Sequence, residues 1–352
     1  MSRADRVQAR FEAVDALLVT DLVNLRYLTG FTGTNGFAVL APGLRRFVTD
    51  FRYVERAAAE VEGFDRERAP QEFLSALGDG WPADIRRLGF EDHKLSVRQH
   101  AKLRDVVPAR IELVAAGGLV ERERAVKEPA ELEAIAVAAG LADEALTSVL
   151  SGGLVGRTER EVALALEDAV RAGGGEPAFG TIVAAGVNGA APHATPDDTP
   201  IAAGTLVTID FGARLAGYNS DCTRTYAAGA VGEDLVAIYE LVREAQAAAL
   251  AAVRPGPEGH EIDTVARELI AAAGHAEHFG HGLGHGLGLE VHEAPRLSTT
   301  GTDALAVGNV VTVEPGVYVP GLGGVRIEDL VVLTDDGARV LSGHAKDLAV
   351  LD

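Results

Sequence analysis

Cysteine is nearly missing from this chain of 352 residues: Cys222 stands alone. An intramolecular disulfide is therefore impossible and a thiolate zinc cluster is excluded. Beside Asp221, the single thiol reads as a small buried side chain. Positive charge is also scarce, with 32 Lys and Arg against 52 Asp and Glu and a formal net charge of −20. Nucleic acid or an anionic membrane would be repelled over most of such a surface, so neither is expected as a partner. No apolar run reaches the roughly 18 residues needed to cross a bilayer. The charged stretch Met1 to Arg10 lacks the apolar core of a secretory leader, which makes a cytoplasmic protein the expectation.

With 47% apolar residues, the chain can bury a large core and is long enough for two domains. Up to about residue 118, short apolar strands alternate with amphipathic helical stretches. Ala16-Leu17-Leu18-Val19, Gly36-Phe37-Ala38-Val39-Leu40 and Arg46-Phe47-Val48-Thr49 read as strands, and Arg52 to Val61 and Val97 to Val106 as helices. That pattern suits a small α/β domain. From Pro129 the texture is helical and Ala-rich to about Leu150. Thr158 and Glu161 then form a capping box opening a helix to about Ala172, stopped by Gly173-Gly174-Gly175. The charged stretch Arg122 to Glu128 separates the textures, giving domains of residues 1–122 and 123–352 and an α+β chain overall.

The second domain repeats itself at an offset of about 100 residues. Gly156 to Gly173 has a counterpart in Gly256 to Gly274, with Glu161 and Val162 answering to Glu261 and Ile262. His193-Ala194-Thr195-Pro196 matches His292-Glu293-Ala294-Pro295, and Gly204 to Asp210 matches Gly308 to Glu314. A pseudo-twofold arrangement would carry one histidine and one acidic residue from each half to a shared centre.

The acidic residues sit at strand ends. Asp210 closes Thr205-Leu206-Val207-Thr208-Ile209, Asp221 follows a Gly-rich turn, Glu314 closes Val310-Val311-Thr312-Val313, and Glu328 opens a third apolar run. Neighbouring strands would bring these carboxylates to one level of a sheet. Four buried carboxylates repel unless cations sit among them, so a pair of divalent ions is the economical explanation, with His285 as a fifth ligand. Oxygen-rich sites with one imidazole favour Mn(II), with Co(II) or Zn(II) possible. Two such ions can bridge a water, lower its pKa and polarise a carbonyl, which points to amide hydrolysis. The run from Phe279 to Glu293 adds three histidines in twelve residues, His281, His285 and His292, among glycines that let the backbone bend around ligands.

Taken together, Asp210-Phe211-Gly212, Ser220-Asp221-Cys222-Thr223-Arg224-Thr225, Gly284-His285-Gly286-Leu287-Gly288 with His292-Glu293, Val313-Glu314-Pro315-Gly316 and Gly324-Val325-Arg326-Ile327-Glu328-Asp329 closely resemble the M24 metallopeptidases of the prolidase and aminopeptidase P branch. Asn24 to Gly33 and Val48 to Tyr53 resemble the creatinase-type N-terminal domain of that branch. The resemblance implies a pita-bread catalytic domain, a homodimer, and hydrolysis of Xaa-Pro bonds by a metal-bridging water or hydroxide. It makes Asp210 a terminal ligand and Asp221 and Glu328 bridging ligands, completed by His285 and Glu314. Glu314 would also shuttle a proton to the leaving nitrogen. His193 and His292 would bind the substrate carbonyl and stabilise the oxyanion. His281 would line the proline pocket, and Arg326 would lie near the site in substrate contact or in an ion pair.

An Xaa-Pro nitrogen carries no N–H, so a site that grips the carbonyl and encloses the ring suits this bond. The expected substrates are Xaa-Pro dipeptides or short peptides, with a dipeptidase as the leading reading and an aminopeptidase P as the alternative. A dipeptidase must recognise the free carboxylate, usually with arginine, yet Pro315 to Val325 contains none. Arg26, Arg45, Arg46 and Arg52 of the N-terminal domain are candidate substitutes, including from a neighbouring subunit. A metal-free creatinase-like hydrolase or a non-catalytic binding relative would have lost ligands, whereas all five positions here are acidic or histidine. A methionine aminopeptidase would not carry Asn24 to Gly33.

Overall fold

The strand Ala16–Val19 is buried at all four positions, as an apolar run without alternation requires when both faces of a sheet are covered. In the computed structural model, which describes residues 1–69 and 73–352, it lies inside the first of two units, Met1–Arg124 and Ala125–Asp352. Its six-stranded sheet runs in the order Asp65–Arg68, Leu44–Thr49, Gly36–Ala41, Ala16–Val19, Arg87–Phe90, Glu112–Ala115. The central strand is antiparallel to Gly36–Ala41 and parallel to Arg87–Phe90. The expected strands and the helix Val97–Val106 form. The helix expected from Arg52 instead begins at Val54, after a 3-10 turn at Phe51–Tyr53. Its physical cause is Asp50, whose carboxylate accepts from the Arg52 amide at 2.9 Å and tightens the chain there.

In the second unit the repeat is visible element by element. The helices Glu159–Ala172 and Gly259–Ala272 are each 14 residues long, and each opens with a capping box, Thr158 with Glu161 and Glu258 with Glu261. Both bury one stripe: Val162, Leu166 and Val170 in the first, Ile262, Ala266 and Ile270 in the second. Longer helices, Pro129–Leu150 and Glu233–Ala252, precede them. Each half then supplies a sheet. The first has the order Val350–Leu351, Cys222–Ala228, Thr205–Phe211, Ile182–Ala185; the second Glu293–Leu297, Gly284–Gly286, Val310–Val313, Asp329–Thr334, Gly337–Val340. A hairpin, Gly316–Val319 with Gly323–Arg326, joins the second half. No helix among the described residues is long and apolar enough to cross a membrane.

Sheet register sets the acidic residues side by side. Thr223 pairs with Asp210, and Asp221, two residues before Thr223, points to the same face. Val313 pairs with Asp329 in antiparallel register, so one further step sets Glu314 against Glu328. The amide of Glu328 donates to the carbonyl of Thr223 at 3.0 Å, joining the two halves where the carboxylates meet.

Gly284 lies where strands approach closely: a Cβ there would sit 2.0 Å from the carbonyl oxygen of Thr312. Gly284→Ala is expected to destabilise the protein by about 1–3 kcal/mol through forced separation of the strands. Gly280→Ala, where an added Cβ meets nothing within 4 Å, should stay within about 0.5 kcal/mol. Urea unfolding of both variants checks this, and equal losses would contradict it.

Candidate metal centre

Two buried carboxylates on the shorter helices hold the loops that carry the histidines. Glu159, fully buried, accepts from the Ala185 amide at 2.8 Å and the Asn188 side chain at 3.0 Å, and its second oxygen accepts from the Asp197 amide at 3.3 Å. These bonds bracket the segment bearing His193. In the other half, Asp263 accepts from the Leu283 amide at 2.9 Å and pairs with Arg267 at 2.7 Å. Arg267 in turn donates to the carbonyls of Phe279 and His281. The glycine-rich run is thereby tied to the helix Gly259–Ala272, and His285 is delivered to the strand Gly284–Gly286.

At the centre, Asp210, Asp221 and Glu328 each present an oxygen, all within 4.8 Å of one another. His285 Nε2 lies 3.7 Å from Asp221 Oδ2 and 3.3 Å from Glu314 Oε1. Its Nδ1 is 3.1 Å from the carbonyl oxygen of Gly286. Donation there places the proton on Nδ1 and leaves the Nε2 lone pair aimed at the carboxylates. Thr223 donates to Glu328 Oε2 at 2.8 Å and Thr312 to Glu314 Oε1 at 3.1 Å. Arg326 spans the floor: Nη2 reaches Asp210 Oδ2 at 2.7 Å, Nε reaches Thr223 Oγ1 at 3.1 Å and Nη1 reaches the Tyr318 hydroxyl at 2.7 Å.

Electrostatics make this cluster untenable as bare anions. Burial first, and then the neighbouring carboxylates, hold Asp221 and Glu328 well above the usual carboxylate range. Burial pushes Glu314 up to about 7. Burial also lowers His285 to about 3 and His281 to about 4, so both imidazoles are neutral and able to offer a lone pair. Asp210 Oδ1 and Glu328 Oε1 are buried with no hydrogen-bond partner. Orphaned carboxylate oxygens facing a neutral imidazole are what divalent cations satisfy, so the donor set fits the ions.

Above the carboxylates lies a cavity of about 820 Å³, whose lining includes His193, His281, His292, Arg296 and Arg326. The rings of His285 and His292 are 4.3 Å apart, and His281 Nε2 lies 2.9 Å from the Tyr318 hydroxyl. The structure thus brings all nine sequence-derived site residues to one place. It adds Tyr318, Thr223 and Thr312. The threonines carry a period-two signal, each two residues along a strand from an acidic residue; Tyr318 carries none.

Comparison with known proteins agrees. Residues 133–335 match metallopeptidase family M24 and residues 3–126 match the creatinase/prolidase N-terminal domain. An uncharacterized peptidase of Bacillus subtilis (strain 168) is 41% identical over 340 residues, 96% of either chain. The solved Xaa-Pro dipeptidase from Bacillus anthracis superposes with a TM-score of 0.96 at 36% identity, covering 99% of both chains. The X-Pro aminopeptidase from Thermotoga maritima MSB8 gives 0.90 at 32%, covering 99% of this chain and 100% of that one. The repeated helix-and-sheet halves are the pita-bread fold expected for the catalytic domain, and the chain belongs to metallopeptidase family M24.

Proposed function

We propose that this protein is a metal-dependent Xaa-Pro dipeptidase. The observation that carries the reading is the buried carboxylate cluster with orphaned oxygens beneath a cavity lined by four histidines. Asp210, Asp221, His285, Glu314 and Glu328 would hold two divalent ions, with Mn(II) best suited to so many oxygens and Co(II) or Zn(II) able to replace it. When bound, the ions supply Lewis acidity and an acidified water. The protein's own groups do the rest. Glu314, beside His285 and raised towards neutrality, accepts a proton from the attacking water and returns it to the proline nitrogen, which leaves as a secondary amine. His193 and His292 line the cavity, one from each half, and would donate to the oxyanion. Arg326 orients Asp210 through a hydrogen bond to Oδ2, and His281, held by Tyr318, lines the pocket for the ring.

Aminopeptidase P activity is the second reading. The arginine-free loop from Pro315 to Val325 and the likeness to the Thermotoga maritima X-Pro aminopeptidase favour it. A homodimer is part of the proposal, and light scattering on the eluting peak tests it.

Metal-stripped protein should be inactive and recover with Mn(II), releasing product from Ala-Pro but not from Ala-Pro-Ala. Cleavage of the tripeptide would establish the aminopeptidase reading, and cleavage of neither would end the Xaa-Pro assignment. Asp221→Asn is expected to lower kcat by at least about a hundredfold and to lose bound metal; full activity without metal would support a creatinase-like hydrolase instead. The raised carboxylates also predict a pH effect. In the metal-free protein they stay protonated where the unfolded chain has released its protons. Their contribution to its stability is therefore fully present below about pH 4 and is lost as pH rises through the folded-state values. Cations displace those protons, so the Mn(II)-induced rise in Tm should be larger at about pH 8 than at about pH 5. A rise independent of pH would show that the carboxylates are not the ligands.

A further inference from the structure

One buried ion pair of the catalytic unit stands outside the metal centre. Lys127, whose side chain is 1% exposed, meets Glu293, at 5%, with Nζ 3.4 Å from Oε2. Such a pair is a weak source of stability, because two charges taken out of water regain through their attraction little more than they lose, and apolar side chains of the same volume serve as well. What distinguishes this pair is its place. Glu293 follows His292 directly in the chain.

His292 is exposed and lines the cavity, its ring 4.3 Å from that of His285. An exposed ring is held less by packing around it than by the backbone it hangs from, so the segment that carries it has to be fixed at its ends. At one end, the carbonyl of Gly288 accepts from both the backbone amide and the side-chain amide of Asn219, each at 2.9 Å. Asn219 precedes Asp221 by two residues, in the other half of the repeat. At the other end, Glu293 turns back on the loop: Oε1 accepts from the Glu290 amide at 2.9 Å, and Oε2 faces Lys127. Lys127 is itself anchored, its amide donating to the carbonyl of Gly308 at 2.9 Å. The two fixed ends meet. A Cβ at Gly288 would lie 2.9 Å from Glu293 Oε2 and 3.1 Å from Lys127 Cε, so a glycine is what lets the loop close over the pair. The repeat supplies a control, because the residue after His193 in the first half is Ala194. There the following segment is held instead by Glu159, through the Asp197 amide, so an acid at this place is not a requirement of the duplicated fold.

We propose that Glu293, fixed by Lys127, is a positioning residue for His292, holding its ring where it can donate to the oxyanion. The proposal rests on the role given to His292 under the Xaa-Pro reading. An oxyanion donor acts within about 2.7–3.1 Å of the developing charge, and a misplacement of about 1 Å costs on the order of a hundredfold in rate. Charge is what orients the clamp: a carboxylate with one oxygen on the loop amide and the other towards an ammonium has one favoured setting. Glutamine would keep the bond to Glu290 but turn an N–H towards Lys127.

The test is steady-state kinetics of the Mn(II)-loaded full chain on whichever of Ala-Pro and Ala-Pro-Ala the unmodified enzyme cleaves. Glu293→Gln should lower kcat by about 10- to 100-fold with KM within about threefold, as expected when an interaction made only in the transition state is lost, and should keep its bound Mn(II). Because this variant leaves Lys127 buried without its counter-charge, Lys127→Met/Glu293→Gln is measured beside it. The double variant should have a Tm at or above that of Glu293→Gln and still be slower than the unmodified enzyme by about tenfold or more. In a His292→Ala background, Glu293→Gln should cost less than about twofold more, since a residue that acts through His292 has nothing left to position. An unchanged kcat in Glu293→Gln, loss of its metal, a change confined to KM, full recovery of kcat in the double variant, or losses that multiply in the His292→Ala background would each overturn the proposal. An undiminished kcat in His292→Ala would remove the oxyanion role of His292 and the proposal with it. Cleavage of neither peptide by the unmodified enzyme would bring down the Xaa-Pro reading on which both stand.

Discussion

Mutual repulsion among buried carboxylates is the constraint around which the catalytic unit is organised. Desolvation and crowding each disfavour ionisation, and no set of neutral hydrogen bonds at the site relieves both. The fold answers by fixing one side of three of these carboxylates. Thr223, Thr312 and Arg326 take one oxygen each of Glu328, Glu314 and Asp210. The oxygens left over, Asp210 Oδ1 and Glu328 Oε1, face inward without partners. Fixed donors on one side and bare oxygens on the other form a socket oriented before any cation arrives.

Rigidity behind that socket comes from a second buried charge. Arg224 is 1% exposed and pairs with Asp329 at 2.8 Å. It also donates to the carbonyls of Thr223, Glu328, His344 and Ala345. Asp329 receives Gln246 and Lys346 besides. One guanidinium thus grips the backbone behind Glu328 and beside Asp221, on strands from opposite halves of the repeat. A buried charge with all its donors engaged is tolerable where a partly satisfied one is not. Three arginines of this unit therefore sit in three states: Arg224 locked behind the cluster, Arg326 committed to a ligand, and Arg296 exposed at the cavity rim.

Much of this was legible in one dimension. The helices Val97–Val106 and Pro129–Leu150 follow from capping residues and periodicity, and the acidic positions stand out because apolar strands that end in carboxylates are conspicuous. The repeat is legible because both helices must bury the same stripe. The helix expected at Arg52 started late because a side-chain carboxylate, Asp50, competed with the backbone for the first turn. Arg296 was not legible at all. Nothing in Ala294-Pro295-Arg296-Leu297 marks it apart from any surface arginine, and its position depends on its strand register with His285, eleven residues earlier.

By itself the sequence determined what is local or compositional: which segments are helices and strands, that a pair of halves is repeated, and which residue types could bind cations and act on an amide. Capping, periodicity and donor chemistry are properties of short stretches and need no partner. Tertiary structure alone decided which side chains are committed and which are free. Arg326 and Arg296 are the same residue type thirty positions apart in one unit. Only the packing of Asp210, Thr223 and Tyr318 around the first, and the exposure of the second at the cavity rim, sets them apart. Commitment is a matter of distance and burial between residues far apart in the chain, and those exist only once the strands are paired.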